Sequence, residues 1–240
     1  MIPKIIHYCW FGRNPLPESA QKCIASWRKY LPDYEIKQWN EDNFDVNIIP
    51  YTRGAYEAKK YAFVSDYARF WILYHEGGLY FDTDVEVIRS LDEIIYRGPF
   101  MGIEQSAFLD GKPMVAPGLG LGAEAGHPFY KRMMMVYANL DYKKTDGSFN
   151  DTTIVAYTTR ELYGQGLKVS DNIQEINGIW IYPADFFCPM DSTTGITTIT
   201  ERTVSIHHYD CSWMDHHTFR FKIHQLKNFF LGSSDRRMPF

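Results

Sequence analysis

Short apolar runs separated by turn residues predict three strands in the first third of the chain. Each run is bounded by glycine, proline or polar clusters, as strands usually are. The predicted strands are residues 4–10, 34–40 and 79–88. Apolar residues between them recur at helical spacing, so the order is strand, helix, strand, helix, strand. This order is typical of a wound α/β sheet, in which ligands bind beyond the carboxyl ends of the strands.

The helices between these strands have recognisable ends. A Pro-Glu pair at 17–18 favours the start of a helix, and a Leu-Pro pair at 31–32 ends it. Residues 51–75 have helical character and are predicted to form two segments. A Gly-Gly pair at 77–78 supplies the C-terminal stop.

The rest of the chain continues the same mixture of elements less regularly. Strands are predicted at 100–104, 115–123, 178–183 and 203–209, and helices at 128–140, 153–163 and 219–231. No repeat, low-complexity segment or linker divides the sequence. We therefore expect residues 1–240 to form a single domain.

Two aspartates interrupt the otherwise apolar third strand. In an extended strand Asp82 and Asp84 would present both carboxylates on one side, about 6.6 Å apart along the chain. Two hard oxygen ligands at a strand end suit Mg²⁺ or Mn²⁺. Taken alone, the pair is weak evidence, because a solvated strand end or a helix N-cap is the better interpretation of a bare DxD.

The helix before this strand strengthens the case for a functional site. Residues 63–74 are apolar on nearly every side, which predicts a buried helix, yet they include Asp66 and Arg69. The two lie three apart and share a face, so an internal ion pair is the structural interpretation. Because a buried ion pair often adds no stability over apolar residues, we favour a function: Arg69 donating to a diphosphate or sugar oxygen and Asp66 accepting from sugar hydroxyls.

Composition excludes several classes of protein. The net charge of −4, with scattered basic residues, argues against nucleic-acid binding. The four cysteines show neither metal-site nor disulfide spacing, which favours reduced thiols in the cytoplasm. The sequence contains neither a secretory signal nor an apolar run long enough to cross a membrane, so we expect a soluble protein.

Four ordered blocks of the sequence resemble a known family. The blocks are IPKIIHYCWFG, SWRKYLPDYEIKQWNEDNFD, KKYAFVSDYARFWILYHEGGLYFDTDVEV and SIHHYDCSW. Together they resemble glycosyltransferase family 32, the sugar-binding DxD glycosyltransferases, which include capsular polysaccharide transferases and initiating mannosyltransferases.

The resemblance implies a fold and an activity. The implied fold is a GT-A-type, Rossmann-like wound sheet with the DxD motif at a strand end. The implied activity is a hexosyltransferase that uses a nucleotide-diphosphate sugar donor, a divalent Mn²⁺ or Mg²⁺ ion and a glycan or lipid-linked glycan acceptor, with retention, in capsular or surface polysaccharide synthesis. Residues 1–125 would bind nucleotide sugar and metal, and residues 126–240 would supply the acceptor part and a late segment that contacts metal and diphosphate.

The resemblance also assigns roles to individual residues. Asp84 would be the principal metal ligand, and Asp82 would contact ribose, donor sugar or metal-bound water. Asp66 and Arg69 would hold the donor sugar, and Trp10 would stack on the nucleotide base, although an aromatic residue closing the core fits Trp10 equally well.

The late block adds one metal ligand and two substrate contacts. His207 and His208 should face opposite sides of a strand, so only one can reach the ion. By resemblance to related endings we choose His208, with Ser212 and Trp213 touching the diphosphate or glycosidic oxygen. A structural histidine remains an alternative, since imidazole is not the preferred ligand of Mg²⁺ or Mn²⁺.

Three other functions compete with this interpretation. The GLGLGA stretch at 118–123 fits the dinucleotide fingerprint of an NAD-dependent oxidoreductase, but no helix is predicted to start there. A non-catalytic carbohydrate-binding protein would have no need of a diphosphate metal site. A glycosidase needs two carboxylates facing each other across a sugar rather than neighbours on one strand.

Two further expectations concern the membrane and the chemistry. The basic and aromatic tail at 219–237 is predicted to pack on the domain, with a peripheral membrane contact as the minor alternative. No sequence feature nominates a covalent nucleophile. Retention therefore rests on the resemblance, and a front-face attack by the acceptor is a hypothesis.

Overall fold

The computed structural model describes residues 1–210, which form a mixed sheet with helices on both faces. The strands are β1 (Ile5–Cys9), β2 (Glu35–Trp39), β3 (Gly78–Tyr80), β4 (Val85–Val87), β5 (Phe100–Leu109), β6 (Lys112–Val115), β7 (Leu121–Ala123), β8 (Gln174–Ile176), β9 (Ile179–Tyr182) and β10 (Ser205–His207). The helices are α1 (Glu18–Tyr30), α2 (Pro50–Glu57), α3 (Tyr61–Glu76), α4 (Asp92–Arg97), α5 (Pro128–Ala138), α6 (Ile154–Gly164) and α7 (Ala184–Phe187).

The predicted βαβ order of the first third is confirmed. Strand β1 pairs in parallel with both β2 and β3, and the large sheet has the order β2, β1, β3, β7, β5, β9, β8, with β6 beside β5. The β5/β9 pair is also parallel, whereas β7 runs antiparallel to both neighbours. The carboxyl ends of β1 and β3 therefore meet at one edge of the sheet, where a wound sheet binds its ligands.

Helix α3 is buried, as its all-round apolar sequence predicts, and it ends at the predicted glycine. Gly77 adopts φ +69°, and its N–H donates to the carbonyl of Leu73 at 3.0 Å. Only glycine takes this left-handed conformation at little cost. Because the helix ends at Gly77, the chain enters β3 immediately afterwards. Helix α3 and strand β3 therefore reach the same edge of the sheet.

The prediction of one continuous strand over 79–88 is wrong. Strand β3 ends at Tyr80, and the chain makes a turn in which the N–H of Val85 donates to the carbonyl of Asp82 at 3.1 Å. Strand β4 then leaves the large sheet and pairs antiparallel with β10. Asp82 and Asp84 therefore lie on a turn between two sheets, and the turn rather than strand alternation brings them together.

The predicted strand at 115–123 is also two strands. Strands β6 and β7 are joined by a loop over 116–120, in which the N–H of Leu119 donates to the carbonyl of Ala116 at 3.2 Å. The predictions of α5, α6, β9 and β10 are confirmed within a few residues, while α4, α7 and β8 were not predicted. The predicted helix at 219–231 lies outside the described residues.

Apolar side chains cover both faces of the sheet, and one of the packed helices holds the turn at residues 82–85, called the aspartate turn below. Helices α3 and α5 pack on one face, and α1 packs on the other against β4. Trp27 of α1 is fully buried, and its indole N–H donates to the carbonyl of Val85 at 2.8 Å. This contact holds the chain immediately after the turn.

Candidate active site

A cavity of about 470 Å³ opens at the edge of the sheet where β1 and β3 end. Its walls come from the end of β1, helix α3, the aspartate turn, the 116–120 loop, the start of α6 and the end of β10. Five of the residues that the sequence predicted as site residues line this cavity: Trp10, Asp66, Arg69, Asp82 and Asp84. A wound sheet places its ligand site at this edge.

Asp82 is held by the helix that precedes it. Arg69 Nη1 contacts Asp82 Oδ2 at 3.2 Å, while its Nη2 contacts Asp66 Oδ1, also at 3.2 Å. The hydroxyl of Tyr80 donates to Asp82 Oδ1 at 3.2 Å. Arg69 thus bridges two carboxylates, one within its own helix and one on the turn.

Burial controls the charge state of this group. Arg69 and Asp66 are almost completely buried. Burial raises the pKa of Asp66 to about 7, although the positive charge of Arg69 opposes the shift and Asp82 adds to it. Burial therefore favours the neutral form of Asp66 and the charge of Arg69 favours its carboxylate, at a position on the cavity wall.

The glycines at 118–123 pack closely against the site. A Cβ atom on Gly118 would overlap Oδ2 of Asp82, and the carbonyl of Gly118 accepts a hydrogen bond from the N–H of Asp82 at 3.2 Å. No helix begins at these glycines, because β7 follows them and α5 starts only at Pro128. This geometry lacks the strand-turn-helix unit that a dinucleotide fingerprint needs.

Asp84 is held by residues from the other end of the described chain. Its Oδ1 lies 3.2 Å from His207 Nε2, and its Oδ2 accepts from the N–H of Asp210 at 3.1 Å. Burial would raise the pKa of Asp84, but His207 and the Asp210 hydrogen bond lower it below its usual value. Asp84 is therefore a carboxylate at neutral pH.

The prediction that His208 faces the aspartates is corrected by the structure. His207 turns into the cavity beside Asp84, whereas His208 Nε2 lies 2.9 Å from Glu86 Oε2 on the outer side. Adjacent residues of an extended segment point in opposite directions, as predicted, but the pairing of β10 with β4 sends the first histidine inward.

The group formed by Asp82, Asp84 and His207 has the chemistry of a divalent-metal site. One ligand atom from each lies within 4.8 Å of the others. His207 Nδ1 is buried and has no hydrogen-bond partner among residues 1–210. Burial lowers the pKa of His207, but Asp84 outweighs it and raises that pKa to about 9, so a proton balances the carboxylates. A bound cation would replace that proton, and the donor set fits one.

Glu104 and Tyr209 are site residues that the sequence reasoning missed. Glu104 follows the apolar run of β5 and lines the cavity, and its Oε1 accepts a hydrogen bond from the hydroxyl of Tyr209 at 3.1 Å. Burial raises the pKa of Glu104 against the opposing effects of His207 and Tyr209. An acidic residue at the end of an apolar run is the same signal that singled out Asp82, so it could have been found.

The remaining predicted residues are placed as follows. Trp10 lines the cavity, and its indole N–H donates to the carbonyl of Asn14 at 2.7 Å. Ser212 and Trp213 lie outside the described residues, as does the tail considered for membrane contact. Within residues 1–210 no helix is both long and apolar enough to cross a membrane.

Comparison with known proteins finds the same motif. Residues 17–101 match the glycosyltransferase sugar-binding region containing DXD motif. Inositol phosphoceramide mannosyltransferase 3 of Schizosaccharomyces pombe is 29% identical over 166 residues, which cover 68% of this chain and 43% of that protein. An uncharacterised glycosyltransferase of Acanthamoeba polyphaga mimivirus is 24% identical over 210 residues, covering 80% of this chain and 79% of that one.

Solved structures support the fold. The PaToxG glycosyltransferase superposes with a TM-score of 0.50 at 16% identity, over 69% of this chain and 70% of that one. The chain spans less than half the length of the yeast relative. The fold is of the GT-A type, as the resemblance implied. Residues 17–101 of this chain are therefore similar to the glycosyltransferases whose sugar-binding region contains a DXD motif.

Proposed function

We propose that the protein transfers a sugar from a nucleotide-diphosphate sugar to a hydroxyl group of a glycan or lipid-linked glycan. One observation carries the proposal: Asp82, Asp84 and His207 converge within 4.8 Å in the cavity at the sheet edge. The matched DXD region contains the two aspartates, so the family and the geometry point to the same residues.

We propose that Asp82, Asp84 and His207 hold a Mn²⁺ or Mg²⁺ ion. When bound, the ion neutralises the donor's diphosphate and acts as a Lewis acid for its departure. Asp84, the more enclosed of the two aspartates, would be the principal ligand, while Asp82 also has Arg69 as a partner.

The other side chains would bind and orient the donor. The Arg69 guanidinium is fixed by two carboxylates, so it can donate to a diphosphate or sugar oxygen without reorganisation. Asp66 lines the same cavity and would accept from a sugar hydroxyl. Trp10 lies on the cavity wall at the end of β1, where its ring would stack on the nucleotide base.

The substrate class and setting belong to the proposal. A mannosyl donor and a lipid-linked acceptor are candidates because several relatives are mannosyltransferases of inositol phosphoceramide. The biological role that we infer from the family resemblance is capsular or surface polysaccharide synthesis. A cytoplasmic site of action, including the inner membrane face, is supported by three free, buried cysteines among the described residues, Cys9, Cys23 and Cys188. We propose a single domain over residues 1–240 and retention of the anomeric configuration.

A nucleotide-release screen tests the activity. The purified protein is incubated with UDP-glucose, UDP-galactose, UDP-N-acetylglucosamine and GDP-mannose, each with Mn²⁺, with Mg²⁺ and with EDTA. We expect metal-dependent release from one donor. Binding of a donor with no release would favour a carbohydrate-binding protein instead, and absence of both would refute the proposal.

The product of the active donor tests retention. Transfer to a simple glycoside acceptor, followed by proton NMR of the new anomeric centre, should show the configuration of the donor. An inverted centre would rule out retention while leaving the transferase activity intact.

A further inference from the structure

Four carboxylates line the cavity among the described residues, and three of them have cationic partners. Asp66 and Asp82 contact Arg69, and Asp84 contacts His207. Glu104, the fourth, forms no ion pair with any residue in 1–210 although it is partly buried. A carboxylate in such a place whose direct partner is a neutral hydroxyl rather than a cation costs free energy, so it calls for a functional explanation.

The contacts of Glu104 hold one carboxylate oxygen and leave the other open. The Tyr209 hydroxyl donates to Oε1, and no described residue donates to Oε2. Tyr209 is itself fixed, because its ring lies against His207 with centroids 4.2 Å apart and its hydroxyl is 3.0 Å from Cys188 Sγ. Its backbone has φ +53°, a left-handed conformation that a bulky residue adopts at a cost.

Glu104 is not part of the candidate metal centre. The group of ligand atoms within 4.8 Å of one another contains Asp82, Asp84 and His207 but not Glu104. Glu104 nevertheless lines the same cavity as these three residues, with its partner Tyr209 packed on His207. Its open oxygen is therefore available to a sugar whose diphosphate lies at the metal centre.

We propose that Glu104 is the catalytic nucleophile and that its Oε2 attacks the anomeric carbon of the donor sugar. The inference rests on the proposed function and supplies the carboxylate that retention by double displacement requires. Tyr209 is a positioning residue, since it orients the carboxylate and touches no reacting atom.

The reaction has two balanced steps. In the first, a bond forms between Glu104 Oε2 and the anomeric carbon while the bond from that carbon to the diphosphate oxygen breaks, and the electron pair leaves with the nucleoside diphosphate. In the second, the acceptor hydroxyl oxygen attacks the same carbon from the opposite face, the ester bond breaks and its electron pair returns to Glu104. The acceptor's proton passes to an oxygen of the released diphosphate. Two inversions give net retention.

The Glu104→Gln variant tests the assignment. Glutamine keeps the shape and can still accept from Tyr209, but it is a poor nucleophile. We expect transfer to fall by a factor of about 100 or more, the order usual when one catalytic side chain is lost. Calorimetric binding of UDP or GDP with Mn²⁺, and the thermal midpoint, should stay close to the wild-type values.

Glu86→Gln is the matched control. Glu86 lies on β4 outside the cavity and pairs with His208, so the same chemical change should leave transfer at the wild-type rate. Transfer by Glu104→Gln at the wild-type rate would overturn the proposal and favour front-face attack.

Two direct probes identify the covalent step. A 2-fluoro analogue of the active donor should leave a sugar ester on the peptide that contains residue 104, as detected by mass spectrometry. Glu104→Ala with sodium azide should regain nucleotide release and form a glycosyl azide of configuration opposite to the donor. A sugar ester on a different residue, or no glycosyl azide, would contradict the proposal.

If the proposed transferase activity itself is wrong, the same experiments give different results. If the protein is not a transferase, the wild type releases nucleotide from no donor and no variant differs from it. If only the nucleophile is wrong, the wild type and Glu104→Gln both transfer sugar and Asp84 variants do not.

Discussion

The negative charges of Asp82 and Asp84, the two aspartates of the turn, are compensated in different ways. Asp82 is paired with Arg69, which lies 13 residues earlier and carries a permanent charge. Asp84 is paired with His207, which comes from β10 and can give its proton up to a metal. Arg69 with the two carboxylates that it contacts, the Arg69 side, is a fixed part of the folded core. His207 with Asp84, the His207 side, can exchange the proton of His207 for a metal cation. We infer that the first side holds the donor and the second binds the ion.

Removal of Arg69 should have the largest effect on stability. Arg69→Leu leaves Asp66 and Asp82 enclosed without their cation, and breaking a buried pair in this way costs about 3–5 kcal/mol. Urea denaturation followed by tryptophan fluorescence measures the loss. The double variant Arg69→Leu/Asp82→Asn should recover part of it, because the carboxylate of the turn that Arg69 compensated is gone. A loss below about 1 kcal/mol would show that the Arg69 side is not a fixed part of the core.

Substitution of Asp84 should remove activity at a smaller loss of stability than Arg69→Leu. Asp84→Asn takes away the principal proposed metal ligand, while His207 can become neutral by losing its proton. We expect metal-dependent nucleotide release to fall by about 100-fold to 1,000-fold and Mn²⁺ binding by calorimetry to weaken. Glu86→Gln is again the control. Unchanged Mn²⁺ affinity in Asp84→Asn would place the ion elsewhere.

A buried histidine outside the site sharpens the contrast with His207. His7 is fully buried, accepts from the indole N–H of Trp39 through Nδ1 and donates to the carbonyl of Gly77 through Nε2, so it is neutral. Burial lowers the pKa of His7 from 6.5 to about 4. The unfolded chain therefore binds the extra proton first, and stability is full above pH 6.5 and is lost as the pH falls to 4, by about 3 kcal/mol.

The measurement is the unfolding free energy of wild type and His7→Gln in urea at several pH values between 7 and 4. The wild type should lose more stability than the variant over this range, because glutamine does not titrate. Parallel curves would show that His7 is not the group responsible.

Of the four predicted effects, that of a methyl group added at Gly118 should be the smallest. The added Cβ overlaps the carboxylate of Asp82, so Gly118→Ala must displace that side chain or the 116–120 loop. Overpacking of this kind costs about 1–3 kcal/mol, and transfer should decrease through displacement of Asp82. Gly111→Ala is a control for glycine replacement in this region, since no atom lies within 4 Å of its added Cβ, although its φ of +75° adds backbone strain. Equal activity of Gly118→Ala and wild type would contradict the close packing.

Local patterns were sufficient for β1, α1, β2 and α3 and for the Arg69 side of the site. Helical periodicity, the Gly77 stop and the three-residue spacing of Asp66 and Arg69 are short-range properties, so the sequence predicts them directly. The turn at 82–85 was missed because Val85 and Val87 continue the apolar run. Nothing local shows that they pair with a different sheet.

The sequence by itself determined the wound α/β order, the resemblance to the DXD glycosyltransferases and the two aspartates, since these depend on neighbouring residues and on motifs. Only the tertiary structure decided that His207 rather than His208 faces Asp84, that Gly118 packs on Asp82 and that Glu104 enters the same cavity. These contacts join residues from 36 to 123 positions apart. Which residues meet at such distances depends on how strands pair and pack, and that is a property of the whole fold.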